Sequence, residues 1–336
     1  KEIEEFANQI WASLQKGSPG EIISLQQQQQ LRNTTTMNYQ PRWGDTFTPT
    51  NKNNNIRIIY QNANGLATSR TTEFSKTTST IAATISLQPD ALVYSETNVF
   101  WGNATMLRAT KQCFTAVYGQ GSLQCAHNTH FTPRGHHVYP DALPGGVCQW
   151  VNPSLTPRIT HTDTDHLGRF AAALIHGPAG QALHLITAYR PVVSDGPLSV
   201  MKQQKNFLGV NSDPREAILQ DLQKIVSAAH RANDTVILCM DANETIPEMA
   251  PIIATGILKF CRDAGLVDAL STLHGHCPIN SCNKSSGSPI DFIFCSPDLI
   301  PHIRVGMLNE AQGSDSDHFA YGIDINEHCL RQTPAI

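Results

Sequence analysis

The stretch IRIIYQNANGL, residues 56–66, shows how this chain builds its strands. The residues at every second position from Ile56 to Tyr60 are apolar, which is the period of a β-strand that packs one face on a core. The run ends at Asn-Ala-Asn-Gly, a sequence typical of a turn. Asn62 and Asn64 therefore stand where a strand gives way to a loop, a common place for the side chains of a functional site.

The same placement recurs outward along the chain. Apolar runs such as DALVYSE, ALHLITAYRP, DTVILCMDANE and SPIDFIF have strand composition, with polar residues at an end or edge. In GSDSDHFAYGIDI, residues 313–325, an aspartate and a histidine precede the last strand instead. The residues placed in this way are Asn62, Glu96, Tyr189, Asp241, Asn243, Asp291, Asp317 and His318. Because strand ends converge on one rim of a sheet, we expect these side chains to lie together.

Helical periodicity separates several of these strands. Apolar residues at helical spacing predict a helix over 74–85 and another over 256–270. Residues 213–230 predict a third helix, because Asp213 can cap it and a proline follows in its first turn. Residues 119–144 are rich in Gly, His and Pro, which predicts a long surface loop with solvated histidines.

The composition limits the classes of protein. Hydrophobic residues make up 40% and charged residues 15% of the chain, which is enough apolar material for a sizeable core. The net charge of −4 and the pI of about 6.4 give no global basic field, so a nucleic acid would be held by a local basic strip or through a metal ion. The basic candidates are Arg190, Lys202, Lys205 and Arg215. No run of about 18 apolar residues is present, which predicts no membrane span.

Most of the nine cysteines lie inside apolar runs, which favours buried free thiols in a reducing compartment over disulfides. The segment HGHCPINSC, residues 274–282, has metal-binding residue types but lacks a second ligand pair at zinc-finger spacing. The sequence therefore disfavours a structural zinc site in this segment.

We expect three segments along the chain. Residues 1–55 combine a short amphipathic helix with polar low-complexity tracts, which cannot bury a core and predict a tether. Residues 56–325 hold the predicted domain, and residues 326–336 form a short tail.

The polar residues at the strand ends indicate phosphoryl chemistry. They are carboxylates, amides, a phenol and an Asp–His pair, and no reactive Ser or Cys motif accompanies them. Mg²⁺ prefers oxygen ligands, which include the substrate phosphate. Cleavage of a phosphodiester needs an activated water and donors for the phosphate oxygens. Glu96 could bind the metal and Asp241 could orient or deprotonate the water, while the candidate donors are Asn62, Asn243, Tyr189 and His318.

The motifs QNANGL, SETN, TAYRP, MDANE, SPIDFIF and SDSDHF occur in the order and spacing of the endonuclease/exonuclease/phosphatase superfamily. Over about residues 56–325 the chain resembles this group, which includes deoxyribonuclease I, the abasic-site endonucleases and the endonuclease domains of non-LTR retrotransposons. The resemblance implies an α/β fold, a four-layer α-β-β-α sandwich of two packed β-sheets flanked by helices. It also implies Mg²⁺-dependent hydrolysis of phosphodiester bonds in DNA, with Mn²⁺ as an alternative ion.

The resemblance also implies a role for each motif residue. Glu96, Asp317 and Asn64 correspond to the residues that hold the metal ion, and Asn62 supports the metal and phosphate site. Tyr189 corresponds to a tyrosine that contacts phosphate.

The remaining motif residues correspond to the groups that act on water and phosphate. Asp241 and Asn243 resemble the pair that positions the attacking water. His318 resembles the histidine that contacts the scissile phosphate. Asp291 would orient that histidine and keep its imidazole charged.

Two positions depart from the repair enzymes of this group. Asn64 stands where abasic-site endonucleases commonly have an aspartate, whereas retrotransposon domains carry an asparagine. Val192 stands where an asparagine often follows the proline, which leaves Arg190 as the candidate phosphate contact of that loop. The likeness to retrotransposon domains implies an intracellular, nuclear site of action. It also implies a larger polyprotein with a reverse transcriptase, whose aromatic-x-Asp-Asp signature is not in this sequence.

Two alternatives remain open at this point. A phosphodiesterase of the same fold could act on RNA as a deadenylase, or on phospholipid diesters as a sphingomyelinase does, because a fold does not choose its substrate. A catalytically degenerate module could bind nucleic acid without cleaving it. Glu96 and His318, whose loss would mark such a module, are both present.

Overall fold

A computed structural model describes residues 40–52, 54–66, 74–130, 142–177, 180–247, 255–283, 289–309 and 316–331. The predicted leader helix lies outside the described residues. The strands are β1 (Trp43–Gly44), β2 (Asn55–Asn62), β3 (Ala91–Ser95), β4 (Ser122–Ala126), β5 (Val147–Val151), β6 (Ile159–Thr164), β7 (Phe170–His176), β8 (Ala182–Tyr189), β9 (Thr235–Asp241), β10 (Val267–Asp268), β11 (Asp291–Cys295), β12 (Ile303–Met307) and β13 (Tyr321–Asn326). The helices are α1 (Phe74–Ile85), α2 (Ala104–Tyr118), α3 (Val200–Leu208), α4 (Pro214–Arg231), α5 (Gly256–Ala264) and α6 (Ala269–His274).

The strands form two mixed sheets. One has seven strands in the order β1-β12-β13-β2-β3-β5-β4, and the other has six in the order β10-β11-β9-β8-β7-β6. The β2–β3 and β8–β9 pairs are parallel, and the other pairs are antiparallel. The parallel pairs require crossover connections, which α1 and the α3–α4 segment supply.

Three layers of apolar contact hold the sheets and helices together. Side chains of β2, β3, β12 and β13 meet those of β7, β8, β9 and β11 in the core between the sheets. Helices α1 and α2 cover the outer face of the seven-stranded sheet. Helices α4 and α5 cover the outer face of the six-stranded sheet. The predicted four-layer α-β-β-α sandwich is therefore confirmed.

A buried ion pair fixes the register of the seven-stranded sheet. Arg57 of β2 lies opposite Asp324 of β13, and its Nε and Nη2 atoms donate to the two carboxylate oxygens at 2.7 Å each. Both side chains are fully buried. Removing one partner of such a pair leaves a buried charge uncompensated, at a cost of about 3–5 kcal/mol.

Part of the segment predicted as a tether packs on the domain. Strand β1 pairs with β12 at the edge of the seven-stranded sheet, and Phe47 is completely buried. Arg57 donates to the Thr48 carbonyl at 2.7 Å and to Asn51 Oδ1 at 2.9 Å. The division of the chain at residue 55 stays a prediction, and residues 40–52 add a strand and a core residue on its N-terminal side.

The structure also corrects individual elements. The predicted loop over 119–144 contains β4, which continues the seven-stranded sheet beyond β5. The predicted helix over 256–270 ends at Ala264, because Gly265 adopts a left-handed conformation with φ of 66° and the chain then enters β10. Strands β6 and β12 and helix α2 were not predicted. No helix within the described part of the chain has the length and apolar character to cross a bilayer.

Candidate active site

The pairing of the strands brings the predicted polar residues to one rim. Parallel pairing of β2 and β3 sets Asn62 beside Ser95, so Glu96 follows at the same edge. Parallel pairing of β8 and β9 sets Tyr189 beside Asp241, and antiparallel pairing sets the first residue of β11, Asp291, opposite Asp241. Strand β13 runs antiparallel to β2, so the residues that precede β13 also reach this rim.

Asn62 joins the two carboxylates at the centre of the rim. Its Nδ2 atom donates to Glu96 Oε2 and to Asp241 Oδ2, each at 2.8 Å, and its side chain is fully buried. Burial raises the pKa of Glu96, an effect that the bond from Asn62 opposes. The amide thus holds two carboxylates close together that would otherwise repel each other.

Asp241 and Asn243 form a tight turn after β9. The backbone N–H of Asn243 donates to Asp241 Oδ1 at 2.9 Å, and Asn243 has a left-handed φ of 46°. Burial, followed by the charge of Asp291, raises the pKa of Asp241 well above its ordinary value. A carboxylate with a raised proton affinity is suited to accept a proton from water.

Asp291 and His318 form a buried ion pair. Asp291 Oδ2 lies 2.7 Å from His318 Nδ1, and its Oδ1 accepts a bond of 3.0 Å from the Tyr60 hydroxyl. Burial alone would lower the pKa of His318, but the charge of Asp291 and the bond to it dominate and raise this pKa to about 10. The imidazole is therefore a cation at neutral pH, and its Nε2–H is left to donate to an anion.

Tyr189 brings a phenol to the same rim. Its side chain is 4% exposed, and burial, followed by the charges of Glu96 and Asp241, raises its pKa well above the ordinary value. The hydroxyl therefore stays protonated and can donate a hydrogen bond to a phosphate oxygen.

Asn64 and Asp317 line the more exposed side of the rim. Asn64 Nδ2 donates to Asp317 Oδ1 at 2.7 Å, and the Asn64 backbone N–H donates to Asn62 Oδ1 at 2.8 Å. Asn64 and Glu96 have φ values of 42° and 48°. Left-handed backbone is uncommon for residues other than glycine and clusters at functional sites.

The donor atoms at the rim fit a divalent cation. One ligand atom each from Glu96, Asp241 and His318 lie within 4.8 Å of one another, and the same holds for Cys282, Asp317 and His318. The negative charge of Asp317 contributes to raising the pKa of Glu96. A cation bound between these two carboxylates would therefore relieve their repulsion. Of the predicted metal ligands, Glu96 belongs to the group with Asp241 and His318, and Asp317 belongs to the group with Cys282 and His318. Asn64 is in neither group but donates to Asp317.

Arg190 does not face the rim. It is 2% exposed, its Nε donates to the Arg215 carbonyl at 3.0 Å, and its Nη atoms reach Glu216 and Glu244. Arg215 is also buried and donates to the Pro191 carbonyl. The phosphate contact at Arg190 stays a prediction, and in this structure all three of its side-chain nitrogens are bonded to the protein.

Three supporting residues were missed in the sequence. Tyr60 has the apolar alternation of a core residue, yet its hydroxyl bonds to Asp291. Gln61 Nε2 donates to the His318 carbonyl at 2.6 Å, and Ser281 Oγ accepts from the Asp291 backbone N–H at 3.0 Å. Tyr60 and Ser281 lie outside the motifs, and Gln61 begins QNANGL without having been assigned a role, so only the three-dimensional contacts reveal what these residues support.

The described histidines of the His-rich segment contact aromatic rings. His127 lies edge-on to Phe100 at 5.1 Å, and His130 stacks on Phe207 at 3.8 Å between ring centroids. His136 and His137 lie outside the described residues. The expectation of solvated histidines holds for His130, which is exposed although it stacks on Phe207, whereas His127 is half-buried against Phe100.

Solved structures show the same fold. An AP endonuclease from Leishmania major, LMAP, matches with a TM-score of 0.58 and 15% identity, covering 90% of this chain and 99% of that one. An AP endonuclease from Archaeoglobus fulgidus has a TM-score of 0.52 and 15% identity, with coverage of 81% and 99%. The Xenopus laevis APE2 catalytic domain has a TM-score of 0.53 and 14% identity, with coverage of 80% and 91%.

At these identities the likeness establishes the fold alone, which is the two-sheet α/β fold of these three structures. Comparison of the sequence with protein-family models and with curated proteins found no match.

Proposed function

We propose that this chain is a divalent-metal-dependent phosphodiesterase that nicks DNA. The observation that carries the proposal is the convergence of Glu96, Asp241 and His318, whose ligand atoms lie within 4.8 Å of one another. Around them stand hydrogen-bond donors of the kind that phosphate oxygens accept. A degenerate binding module would not need to keep the half-buried Glu96, the buried Asp241 and the charged imidazole of His318 together at such electrostatic cost.

In the proposed hydrolysis of a phosphodiester, different side chains act on the water molecule and on the phosphate oxygens. Asp241, held by Asn62 and Asn243, orients a water molecule and accepts its proton. His318 donates from Nε2 to a non-bridging oxygen and stabilises the charge that develops there, while Asp291 holds the ring in place. Tyr189 donates to a second phosphate oxygen.

Glu96 would hold the metal ion, together with Asp317 and Asn64 on the more exposed side of the rim. A bound Mg²⁺, or Mn²⁺ in its place, would supply charge stabilisation on the phosphate and its leaving oxygen. The oxygen-rich donor set favours such hard ions at this position.

The preference for DNA rests on two supports. Three proteins with this fold are AP endonucleases or the APE2 catalytic domain, by their names. The motifs resemble the endonuclease domains of non-LTR retrotransposons, with Asn64 as the distinguishing residue. A retroelement origin, a nuclear site of action and a polyprotein with a reverse transcriptase are parts of this proposal that follow from the resemblance.

A substrate panel tests the proposal. Supercoiled plasmid, a duplex with one abasic site, a polyadenylated RNA and sphingomyelin vesicles are each incubated with Mg²⁺ or with EDTA. We expect Mg²⁺-dependent nicking of plasmid or of the abasic duplex, with slower or no turnover of the other two. Turnover of RNA or of phospholipid alone would overturn the DNA assignment while keeping the phosphodiesterase.

A further inference from the structure

Cys282 lies beside the predicted catalytic turn, although the sequence places it 35 residues away from Asp317. An isolated antiparallel bridge pairs Cys282 with His318. This pairing brings the Cys282 Sγ atom to 4.0 Å from Asp317 Oδ2. Ligand atoms of Cys282, Asp317 and His318 all lie within 4.8 Å of one another.

We propose that Cys282, Asp317 and His318 form a second cation site that takes a thiophilic divalent ion such as Zn²⁺, and that filling it inhibits the enzyme. The inhibition rests on the proposed function. The binding of the ion does not, because it depends only on the three side chains.

The ligand types of this site differ from those around Glu96 and Asp241, because this site includes a thiol. A thiolate, an imidazole and a carboxylate are ligands of Zn²⁺, whereas Mg²⁺ takes oxygen ligands. Ligand atoms around tetrahedral Zn²⁺ lie roughly 3.3–3.8 Å apart, given bond lengths of about 2.0–2.3 Å. From separations of at most 4.8 Å, the ligand atoms would have to approach one another by no more than about 1.0–1.5 Å, and Asp317 is only half-buried.

His318 is already oriented for such a ligand role. Asp291 holds Nδ1 at 2.7 Å, which leaves Nε2 for the ion and gives the carboxylate–histidine–metal arrangement of many zinc sites. The ion takes the place of a hydrogen on Nε2 and on the Cys282 thiol, and these protons leave to solvent.

Occupation of Nε2 by the ion explains the inhibition. An Nε2 atom bound to an ion has no hydrogen to donate to a phosphate oxygen. His318 also belongs to the group with Glu96 and Asp241, so one side chain is shared by the two sites. Occupancy of the thiol-containing site therefore removes His318 from the proposed reaction.

Direct binding is the first arm of the test. Zn²⁺ is titrated calorimetrically into the wild type, Cys282→Ser and Cys282→Ala, with Cys125→Ser, in edge strand β4 of the seven-stranded sheet, as the matched control. We expect the Cys282 variants to lose one site or to bind at least about tenfold more weakly, with Cys125→Ser like the wild type. When Cd²⁺ is added in place of Zn²⁺, the ultraviolet absorption band of the cadmium–thiolate bond should be weaker in the same two variants than in the wild type. Equal stoichiometry and affinity in the wild type and Cys282→Ala would overturn the site.

Inhibition is the second arm. Nicking in Mg²⁺ is measured against added Zn²⁺, with each variant normalised to its own rate without Zn²⁺. We expect Cys282→Ala to need on the order of tenfold more Zn²⁺ for half inhibition. Equal sensitivity would overturn the inhibitory role. If the wild type cleaves nothing in Mg²⁺, the proposed function fails, and calorimetry still decides whether the site exists.

Discussion

Asp291 Oδ2 lies 2.7 Å from His318 Nδ1, and the two side chains are 0% and 8% exposed. The carboxylate opposes the cost of burying a charged imidazole and raises the pKa of His318 to about 10. A residue at the start of β11 thereby sets the charge of a residue that precedes β13. The proposed phosphate contact depends on this pair, because only the protonated imidazole donates from Nε2.

Asp291→Asn should change the pH profile of cleavage. Without the carboxylate, burial lowers the pKa of His318 from about 10, so the variant should lose activity as pH rises through neutrality. The wild type should keep the charged imidazole up to about pH 10. Tyr60→Phe is the control, because it removes a bond to Asp291 and leaves its charge. Identical pH–rate profiles for wild type and Asp291→Asn would contradict this account.

The same pair should contribute to stability in a pH-dependent way. A histidine whose pKa is raised on folding stabilises the protein fully below the unfolded value of about 6.5, and this stabilisation is lost as pH rises through about 10. The difference in free energy of unfolding between wild type and Asp291→Asn, measured by urea in EDTA, should therefore shrink over that window. A constant difference from pH 6 to 10 would argue against the ion pair.

Asn62→Ala should slow cleavage by about 100-fold, a loss typical of removing one oriented donor at a reacting centre. The substitution leaves Glu96 and Asp241 without the amide that joins them. Single-turnover rates at saturating Mg²⁺ measure the effect. Asn64→Ala, which removes an exposed bond to Asp317, is the matched comparison and should cost less. Equal losses would show that the bridge has no special role.

Mg²⁺ should raise the melting temperature of the wild type. Binding to the folded state alone stabilises it by about 2.7 kcal/mol at an ion concentration 100 times the dissociation constant. Glu96→Gln should abolish most of this shift, because it removes a charge from the group with Asp241 and His318. Na⁺ at equal ionic strength is the control. A shift of the same size in Glu96→Gln would place the ion elsewhere.

Arg190→Ala should destabilise the fold by on the order of 3 kcal/mol, because it leaves buried carbonyls and the Glu244 carboxylate without their partner. Denaturant unfolding measures this loss. The Michaelis constant for plasmid should change little in the fraction that remains folded. A raised Michaelis constant with unchanged stability would instead support the predicted phosphate contact.

The sequence predicted the central strands because their signals are local. Residues 56–62 and 235–241 carry long apolar runs that end in polar residues, and both are strands whose ends meet at the rim. Strands β4, β6 and β12 have weaker patterns. Strand β6, for example, is mostly exposed along its length and shows no apolar face.

The site was predictable where a motif marks it and not where contacts are nonlocal. Arg190 follows a motif tyrosine, but its direction depends on Glu216 and Glu244, which no spacing rule connects to it. Cys282 ends the segment HGHCPINSC, in which the nearest metal-binding residue types along the sequence are His274, His276 and Cys277. The bridge to His318 instead turns the thiol toward Asp317.

The most direct test of the account is nicking of supercoiled plasmid in Mg²⁺ by the wild type, Glu96→Gln and His318→Gln. Lys224→Gln, at a side chain that is 76% exposed on α4, is the control for a surface change. We predict Mg²⁺-dependent nicking by the wild type and the control, and a loss of at least about 100-fold in the two site variants. Nicking that survives both site substitutions, or a wild type that nicks nothing, would contradict the central claim.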